Sequence, residues 1–202
     1  MSLTIKRFIS FMFGLFILSL GVSFTILSRL GAGAWDALSV GLAQLTGFTV
    51  GTWVILIGVI LIFVNAIILM KKPDLLSIVT ALILGYFIDL WLLFVFPNFI
   101  PTTVLIQVVV LGLGVTLMGC GIATYLQAEF TIVPIDGFMV AIQKRFNVNL
   151  MTGKTIGEVT ALIFAFIAGG PIGVGTIVVT LSIGPMVQLF FPYVERIVYG
   201  YH

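Results

Sequence analysis

The segment TIVPIDGF at 131–138 stands 100 residues after the segment GAGAWDAL at 31–38. Each begins with residues that break a helix and continues with the apolar spacing of a short helix. In the second segment Pro134 suits a first helical turn, and Asp136 suits the positive end of a helix dipole. The helices that follow would have roughly 13 residues, too few to cross a bilayer. The two segments therefore predict half-helices, either re-entrant or lying in the membrane interface.

Other residues match at the same spacing. The pairs are Gly14 with Gly114, Gly21 with Gly121, Asp36 with Asp136 and Val40 with Val140, and Gly85 matches Gly184 with the spacing shortened by one. The aspartate pair is the informative one, because the chain has only 7 acidic residues but 22 glycines. We expect one unit, a span followed by a half-helix and two spans, to be used twice within a single membrane domain over residues 1–202. The first copy covers about 8–99 and the second about 103–202.

The composition excludes a soluble domain. Of the 202 residues, 61% are hydrophobic and 8% are charged, and a water-exposed surface needs far more charge. Six apolar segments approach the roughly 20 residues that a bilayer requires, and they lie at 8–28, 50–70, 75–96, 103–127, 151–169 and 174–192. The predicted fold class is an all-α integral membrane protein in contact with the phospholipid bilayer. The run Phe8–Leu27 is too long for the core of a signal peptide, so we expect a span there rather than a cleaved leader.

The cations predict the orientation. Eight of the nine Lys and Arg residues fall on one side of this layout, namely Lys6, Arg7, Lys71, Lys72, Lys144, Arg145, Lys154 and Arg196. Cytoplasmic loops collect Lys and Arg because translocating them is costly. We therefore expect a multi-pass protein of the cytoplasmic (inner) membrane with both termini in the cytoplasm. Three spans per unit then place the second copy upside down relative to the first, as in transporters with inverted repeats and broken helices.

Glu158 is the most costly residue of the predicted membrane region. It lies seven residues beyond Met151, which is roughly 10 Å into the membrane at about 1.5 Å per residue. An ionised carboxylate at depth costs several kcal/mol unless it is paired or hydrated, so Glu158 should face the bundle interior. It is either a coupling or substrate carboxylate, or a structural clamp that hydrogen-bonds neighbouring backbone.

Asp36, Asp136, Asp89, Gln188 and Arg29 are the other candidates for a substrate or ion site. Asp36 and Asp136 begin the half-helices, where they either cap a helix or stand at the mouths of a pathway, one facing each way. Asp89 lies roughly 10 Å from the outer end of the third span, and its counterpart in the second copy is the neutral Gln188. Arg29, the one cation on the outer side, either reaches lipid headgroups or pairs with Asp36 or an anionic solute.

Small and aromatic residues predict how the helices sit in the membrane. Small residues four apart indicate close helix packing, and they form one ridge at Gly153, Gly157, Ala161, Ala165 and Gly169 and another at Gly112, Thr116, Cys120 and Thr124. Aromatic residues near span ends indicate an interfacial belt, and they are Trp35, Trp53, Trp91, Tyr193 and Tyr199.

No pattern in the chain supports an enzyme. Catalysis needs a nucleophile beside a base or a set of metal ligands, and the one histidine of the sequence is its last residue, His202. We therefore expect no catalytic residue, no metal site and no cofactor. Nucleic acid is also not expected as a partner, because the cations are scattered at helix ends, where they act as topology signals and headgroup contacts.

Several motifs are similar to those of a known family. They are VPIDGFM at 133–139, TIGE at 155–158, GGPIGVGT at 169–176 and IGP at 183–185, with first-copy counterparts GAGAWDAL at 31–38 and GTW at 51–53. Over most of its length the chain resembles the YczE/YitT-like family of small bacterial integral membrane proteins. The resemblance implies a bacterial membrane protein whose biochemical activity is poorly defined.

The combined pattern favours a secondary transporter that moves a small solute or ion across the cytoplasmic membrane by alternating access. Glu158 would be the coupling or substrate carboxylate, and Asp36 and Asp136 would mark the outer and inner half-helix sites. Two other classes stay open. One is the substrate-binding membrane subunit of an energy-coupling-factor-type uptake system, which borrows an ATPase. The other is a non-transporting protein of membrane assembly or lipid interaction, and a homodimer is compatible with all three.

Overall fold

The computed structural model describes residues 3–199, and these form helices with no strand among them. Residues 1, 2 and 200–202, which include His202, lie outside the described part. The elements are α1 (Leu3–Leu27), α2 (Ala34–Thr46), α3 (Val50–Leu69), α4 (Leu76–Asp89, continued by a π-helical turn Leu90–Val95), α5 (Val104–Leu126), α6 (Pro134–Phe146), α7 (Leu150–Ile167) and α8 (Val174–Tyr199). All except α2 and α6 are long and apolar enough to cross a membrane. The structure thus confirms the all-α class and the six predicted spans of a multi-pass membrane protein.

The two short helices have the same length and the same surroundings along the chain. Each has 13 residues, as predicted, and each is followed by a residue in the left-handed region, Gly47 with φ 78° and Asn147 with φ 51°. The next helix in each case begins with a polar N-cap, Thr49 or Asn149, whose side chain accepts a hydrogen bond from the backbone N–H three residues on. Such caps satisfy N–H groups that the helix itself cannot. The local structure therefore recurs at the spacing of 100 residues.

Two helices extend beyond the predicted spans. We expected α1 to begin at residue 8, but it begins at Leu3 and takes Lys6 and Arg7 into its first turns, where Arg7 forms an ion pair with Glu129.

We expected the last span to end at residue 192, but α8 continues to Tyr199, whose hydroxyl donates to the backbone oxygen of Gln127 at 2.9 Å. Polar contacts with the end of α5 and its following turn therefore lengthen both helices.

The centre of the bundle is a backbone-to-backbone contact between α1 and α5. A Cβ on Gly21 would lie 2.5 Å from the backbone nitrogen of Met118. Likewise, a Cβ on Gly121 would lie 2.5 Å from the backbone nitrogen of Leu18. Rising numbers along α1 meet falling numbers along α5, so the helices run antiparallel. The glycines at this contact are Gly14, Gly21, Gly114 and Gly121, which are the pairs that match in the sequence.

In the predicted small-residue line of α5, Gly112 and Thr116 are exposed, whereas Thr124 at the other end is buried. A Cβ on Gly112 would meet no atom within 4 Å, and Thr116 is exposed. The helix packs instead through Gly114 and Gly121, because these positions face glycines of α1. Spacing by four finds a possible ridge, but it does not show which of several ridges has a partner.

The predicted ridge on α7 does pack. Ala161 and Ala165 are fully buried, and a Cβ on Gly153 would lie 2.6 Å from the backbone oxygen of Met139 in α6. The helix contacts both short helices, α2 and α6. Gly169 belongs to the turn after α7, where it adopts φ 68°.

Each short helix packs against spans from the other half of the chain as well as its own. The α2 helix contacts α7, and α6 contacts α3, where the Asn65 side chain donates to the backbone oxygen of Pro134 at 3.0 Å. The two short helices meet through Trp35 and Phe138, whose rings are 5.9 Å apart at 86°. Trp35 is therefore only 8% exposed, and its predicted place in an interfacial aromatic belt was wrong, because α2 turns into the protein.

Gly121→Ala should lower the melting temperature of the purified protein in detergent. The added Cβ would meet the α1 backbone, and overpacking of this kind typically costs about 1–3 kcal/mol. Gly112→Ala is the matched control, because it lies in the same helix and its Cβ would meet open space. Thermal unfolding of both variants checks the prediction, and equal melting temperatures would contradict it.

Candidate functional site

A cavity of about 410 Å³ lies where the two short helices begin. Its walls are mostly apolar and come from α1, α2, α4, α5, α6, α7 and α8. The apolar lining includes Leu18, Val22, Met118, Ile122, Ile135 and Val179. The polar side chains that line it are Asp36, Asp136, Lys154, Glu158, Thr180 and Gln188. Four of the six residues proposed from the sequence thus share one cavity.

The two half-helix aspartates lie together rather than apart. Asp36 and Asp136 are each the third residue of a short helix, and both line the same cavity. One of the two interpretations left open by the sequence placed them at two mouths of a pathway, facing opposite ways, and the other made them helix caps. The arrangement at two mouths is not observed, because α2 and α6 each cross to the other half of the chain and so bring their first turns to the same place.

Asp136 and Asp36 differ in their partners. The Tyr125 hydroxyl of α5 donates a hydrogen bond to the Asp136 carboxylate. Burial raises the pKa of Asp136, while the Tyr125 hydrogen bond and the positive charge of Lys154 act against that rise. Asp136 is therefore a carboxylate held in one orientation by a buried phenol.

The Asp36 carboxylate has no hydrogen-bond or ion-pair partner among residues 3–199. One of its oxygens lies 2.8 Å from the place that a Cβ on Gly33 would occupy, so the glycine leaves room for it. Burial raises the pKa of Asp36, and the negative charge of Glu158 adds to the rise. Asp36 is consequently available to a proton or a ligand in the cavity.

Glu158 and Lys154 face the cavity from α7, one turn apart. The Thr180 hydroxyl of α8 donates to Glu158 at 3.5 Å, and the Lys154 ammonium donates to the backbone oxygen of Thr180 at 3.4 Å. Both distances are long for hydrogen bonds, so these contacts are weak. The two charged groups bridge α7 and α8 loosely, and a ligand could replace either contact.

Three site residues were missed in the sequence. Tyr125 is 1% exposed and was overlooked because tyrosines near span ends usually belong to the interface. Lys154 was counted among the cytoplasmic cations, although its position four residues before Glu158 is the spacing of a helical ion pair. Thr180 gave no signal, because a threonine hydroxyl in a span commonly bonds its own helix.

The two remaining candidates lie outside the cavity. The Asp89 carboxylate accepts hydrogen bonds from the Thr49 hydroxyl and the Gly51 backbone N–H, at 2.6 Å and 2.7 Å. Arg29 is exposed in the turn after α1, where it adopts φ 60°. The ion pair found within residues 3–199 joins Arg7 to Glu129. Arg29 therefore does not pair with Asp36, as one of the predictions had it.

The arrangement suits a ligand that carries positive charge and apolar surface. Three carboxyl groups and one ammonium group line the cavity, so cationic ligands are favoured over anionic ones. Cavities of roughly 300–1,000 Å³ hold drug-sized organic molecules, with apolar walls and a few polar groups that orient them. Within residues 3–199 no three His, Cys, Asp or Glu side chains are grouped so that they could hold a metal ion.

Comparison with known proteins gives matches over almost the whole chain. Residues 5–192 match a family of unknown function, DUF6198. The chain is 42% identical over 183 residues to the uncharacterized protein YyaS of Bacillus subtilis, which covers 91% of each protein. It is 33% identical over 192 residues to the uncharacterized membrane protein YczE of Bacillus subtilis, which covers 93% of this chain and 86% of YczE.

A more distant relative comes from Haemophilus influenzae. This uncharacterized protein is 30% identical over 191 residues, which is 92% of the chain and 84% of the relative. No solved structure matches the chain significantly. The match to YczE confirms the resemblance inferred from the motifs. Because the family match and the aligned relatives cover most of its length, the chain belongs to the DUF6198 family.

Proposed function

We propose that this protein is a secondary transporter that moves a small solute across the cytoplasmic membrane by alternating access. The observation that carries the proposal is the central cavity, in which Asp36, Asp136 and Glu158 come together from two broken segments and a span. Ionisable residues inside a membrane are costly and usually mark substrate, ion or proton pathways. Binding sites of secondary transporters commonly lie where discontinuous helices begin, between two repeats.

Two inverted repeats are part of this proposal. Supporting observations are the recurrence of a short helix after 100 residues and the antiparallel contact of α1 with α5. A further one is an equivalent pair of contacts. Gly58 of α3 faces Ala81 of α4, and the matching positions in the second half are Glu158 and Thr180, which also contact each other.

The substrate class that fits best is a small organic cation. The lining has more carboxyl groups than ammonium groups, and its walls are apolar. A cation with an apolar body could contact Asp36, which has no other hydrogen-bond partner among the described residues. The carboxyl groups would also bind protons, so exchange of the cation for protons is the coupling that we infer.

The orientation belongs to the proposal as well. The cavity extends along the first half of α7, from Leu150 to Glu158, and faces the middle of α8. Lys144 and Arg145 lie just before α7, on the side that the distribution of cations assigns to the cytoplasm. We therefore infer that the described state opens to the cytoplasm, and that both termini lie there.

Reporter fusions should give opposite results on the two sides of α4. Alkaline phosphatase fused after Lys72 should be inactive, because that turn is cytoplasmic in the proposed orientation. The same enzyme fused after Asn98 should be active, because the turn after α4 is external. Phosphatase activity in intact bacteria measures both, and the reverse pattern would contradict the orientation.

Glu158→Gln should reduce transport of a small organic cation to less than about a tenth of the native rate. The loss of one charged contact in a buried site generally corresponds to at least a tenfold effect. Purified protein in liposomes, ethidium as the fluorescent cation and an imposed proton gradient provide the measurement. Glu195→Gln is the matched control, because Glu195 is exposed on α8, away from the cavity.

Two results of this assay would count against the proposal. Native uptake by Glu158→Gln would remove the glutamate from the mechanism. Uptake that appears only when an ATPase partner is added would favour a substrate-binding subunit of an energy-coupling-factor-type system over a secondary transporter. Transport by the purified chain alone would exclude that alternative.

A further inference from the structure

The two halves of the chain differ at one equivalent interface. In the first half, α3 and α4 touch where Gly51 meets the backbone oxygen of Gly85. The equivalent positions in the second half are Met151 and Gly184. A Cβ on Gly184 would have only the Lys154 ammonium nitrogen within 4 Å, at 3.9 Å. The α3–α4 interface is thus closed at this level, whereas the α7–α8 interface is open and lines the cavity.

Asp89 holds the closed interface together. One carboxylate oxygen accepts from the Thr49 hydroxyl at 2.6 Å, and the other accepts from the Gly51 backbone N–H at 2.7 Å. Thr49 and Gly51 belong to the N-cap and first turn of α3. The N–H groups of a first turn have no partner within their own helix, and the helix dipole favours an anion there. Both carboxylate oxygens therefore tie the end of α4 to the start of α3.

Gln188 is the counterpart of Asp89, but its side chain makes no equivalent hydrogen bond to the described residues. It lines the cavity and has no hydrogen-bond partner among residues 3–199. Its matching partners would be Asn149, the N-cap of α7, and the backbone N–H of Met151. The Asn149 side-chain oxygen accepts from the Thr152 N–H at 2.7 Å, which leaves its NH₂ group able to donate to the Gln188 oxygen.

We propose that the α3–α4 interface is the outer gate of the pathway and that the two hydrogen bonds of Asp89 keep it closed, as an outer latch. The α7–α8 interface is then the inner gate, and in the opposite state Gln188 keeps it closed, as an inner latch. The proposal rests on the proposed alternating access, in which each repeat in turn adopts the conformation of the other. In the described state the outer latch is made and the inner gate is open. In the opposite state Gln188 bonds Asn149 and the N–H of Met151, and Asp89 separates from the first turn of α3.

The helices that would move contain a break beside each latch. The regular part of α4 ends at Asp89 and continues as the π-helical turn Leu90–Val95. In α8, Pro185 and Pro192 stand on either side of Gln188. Prolines and π-turns interrupt the regular hydrogen-bond ladder, so helices bend at such points. Each helix can therefore swing its latch residue without losing its packing over the rest of its length.

The two latches have unequal strength. Hydrogen bonds to a carboxylate are about twice as strong as those between neutral groups, so the Asp89 latch outweighs an amide latch at Gln188. The state with the outer gate closed is then the resting state, and it is the state described here.

Cysteine labelling in membranes tests the outer latch. In a Cys120→Ser background, Ile88→Cys reports the α3–α4 interface, and Val187→Cys reports the matching position at the α7–α8 interface. Ile88 is 1% exposed, whereas Val187 lines the cavity. A water-soluble maleimide present on both faces of the membrane should therefore label Val187→Cys rapidly and Ile88→Cys slowly.

Adding Asp89→Ala should raise the labelling rate of Ile88→Cys by about tenfold or more and lower that of Val187→Cys. The tenfold figure is the effect expected from hydrogen bonds to a charged group.

Asp74→Ala is the matched control, because Asp74 accepts hydrogen bonds from Ser77 and Thr131 at the other end of α4. It should leave both rates unchanged. Val54→Cys, which lies in α3 and packs against the same core cluster as Ile88, serves as a second outer reporter if Ile88→Cys does not fold.

Unchanged rates in the Asp89→Ala background would overturn the latch. A rise at Ile88→Cys without a fall at Val187→Cys would also overturn it, because that result describes local loosening rather than an exchange of gates. The labelling rates are measured without any transport assay. The latch and the transport role of Glu158 can therefore be contradicted independently of each other. Loss of uptake in Glu158→Gln with unchanged labelling rejects the latch alone. The expected labelling with normal uptake in Glu158→Gln rejects the transport role of the glutamate and leaves the latch in place.

Discussion

The close contact of α1 with α5 through glycines sets the positions of the other helices. Within lipid the hydrophobic effect does not drive helices together, so association relies on close packing and on hydrogen bonds. Backbones can approach as they do here only where Gly14, Gly21, Gly114 and Gly121 carry no side chain. The antiparallel pair joins the first half of the chain to the second. The short helix of each half packs onto a span of the other half, and α2 and α6 meet through the rings of Trp35 and Phe138.

In the proposed arrangement of two repeats, the cavity lies where the second half differs from the first. In the first half, small side chains close the α3–α4 interface, with Gly58 against Ala81. At the matching positions of the second half stand Glu158 and Thr180, whose polar atoms keep a weak contact at 3.5 Å. Charged and polar groups at this depth need either a partner or a ligand. The second half therefore supplies most of the chemistry of the proposed transport site, while the first half supplies a close-packed, latched counterpart.

The predictions from sequence succeeded where the physical signal is local and failed where it depends on a partner. Span number and short-helix length follow from apolar run length, breakers and caps, and these needed no tertiary information. The packing face of α5 could not be predicted, because Gly112 and Gly114 both fit a small-residue spacing and only Gly114 has a neighbour in α1. Trp35 was misplaced for the same reason. A tryptophan near a span end usually marks the interface, but here the short helix turns into the bundle.

Composition and periodicity were enough to predict the class of protein, the order of spans and short helices, and the spacing of 100 residues at which the aspartates recur. These are properties of composition and periodicity, which act along the chain. The folded chain was needed to show that Asp36, Asp136 and Glu158 share one cavity and that Asp89 belongs to an interface outside it. The physical reason is that α2 and α6 each pack across onto the other half of the chain. Which groups then meet depends on contacts between residues about 100 positions apart, and no local pattern records those contacts.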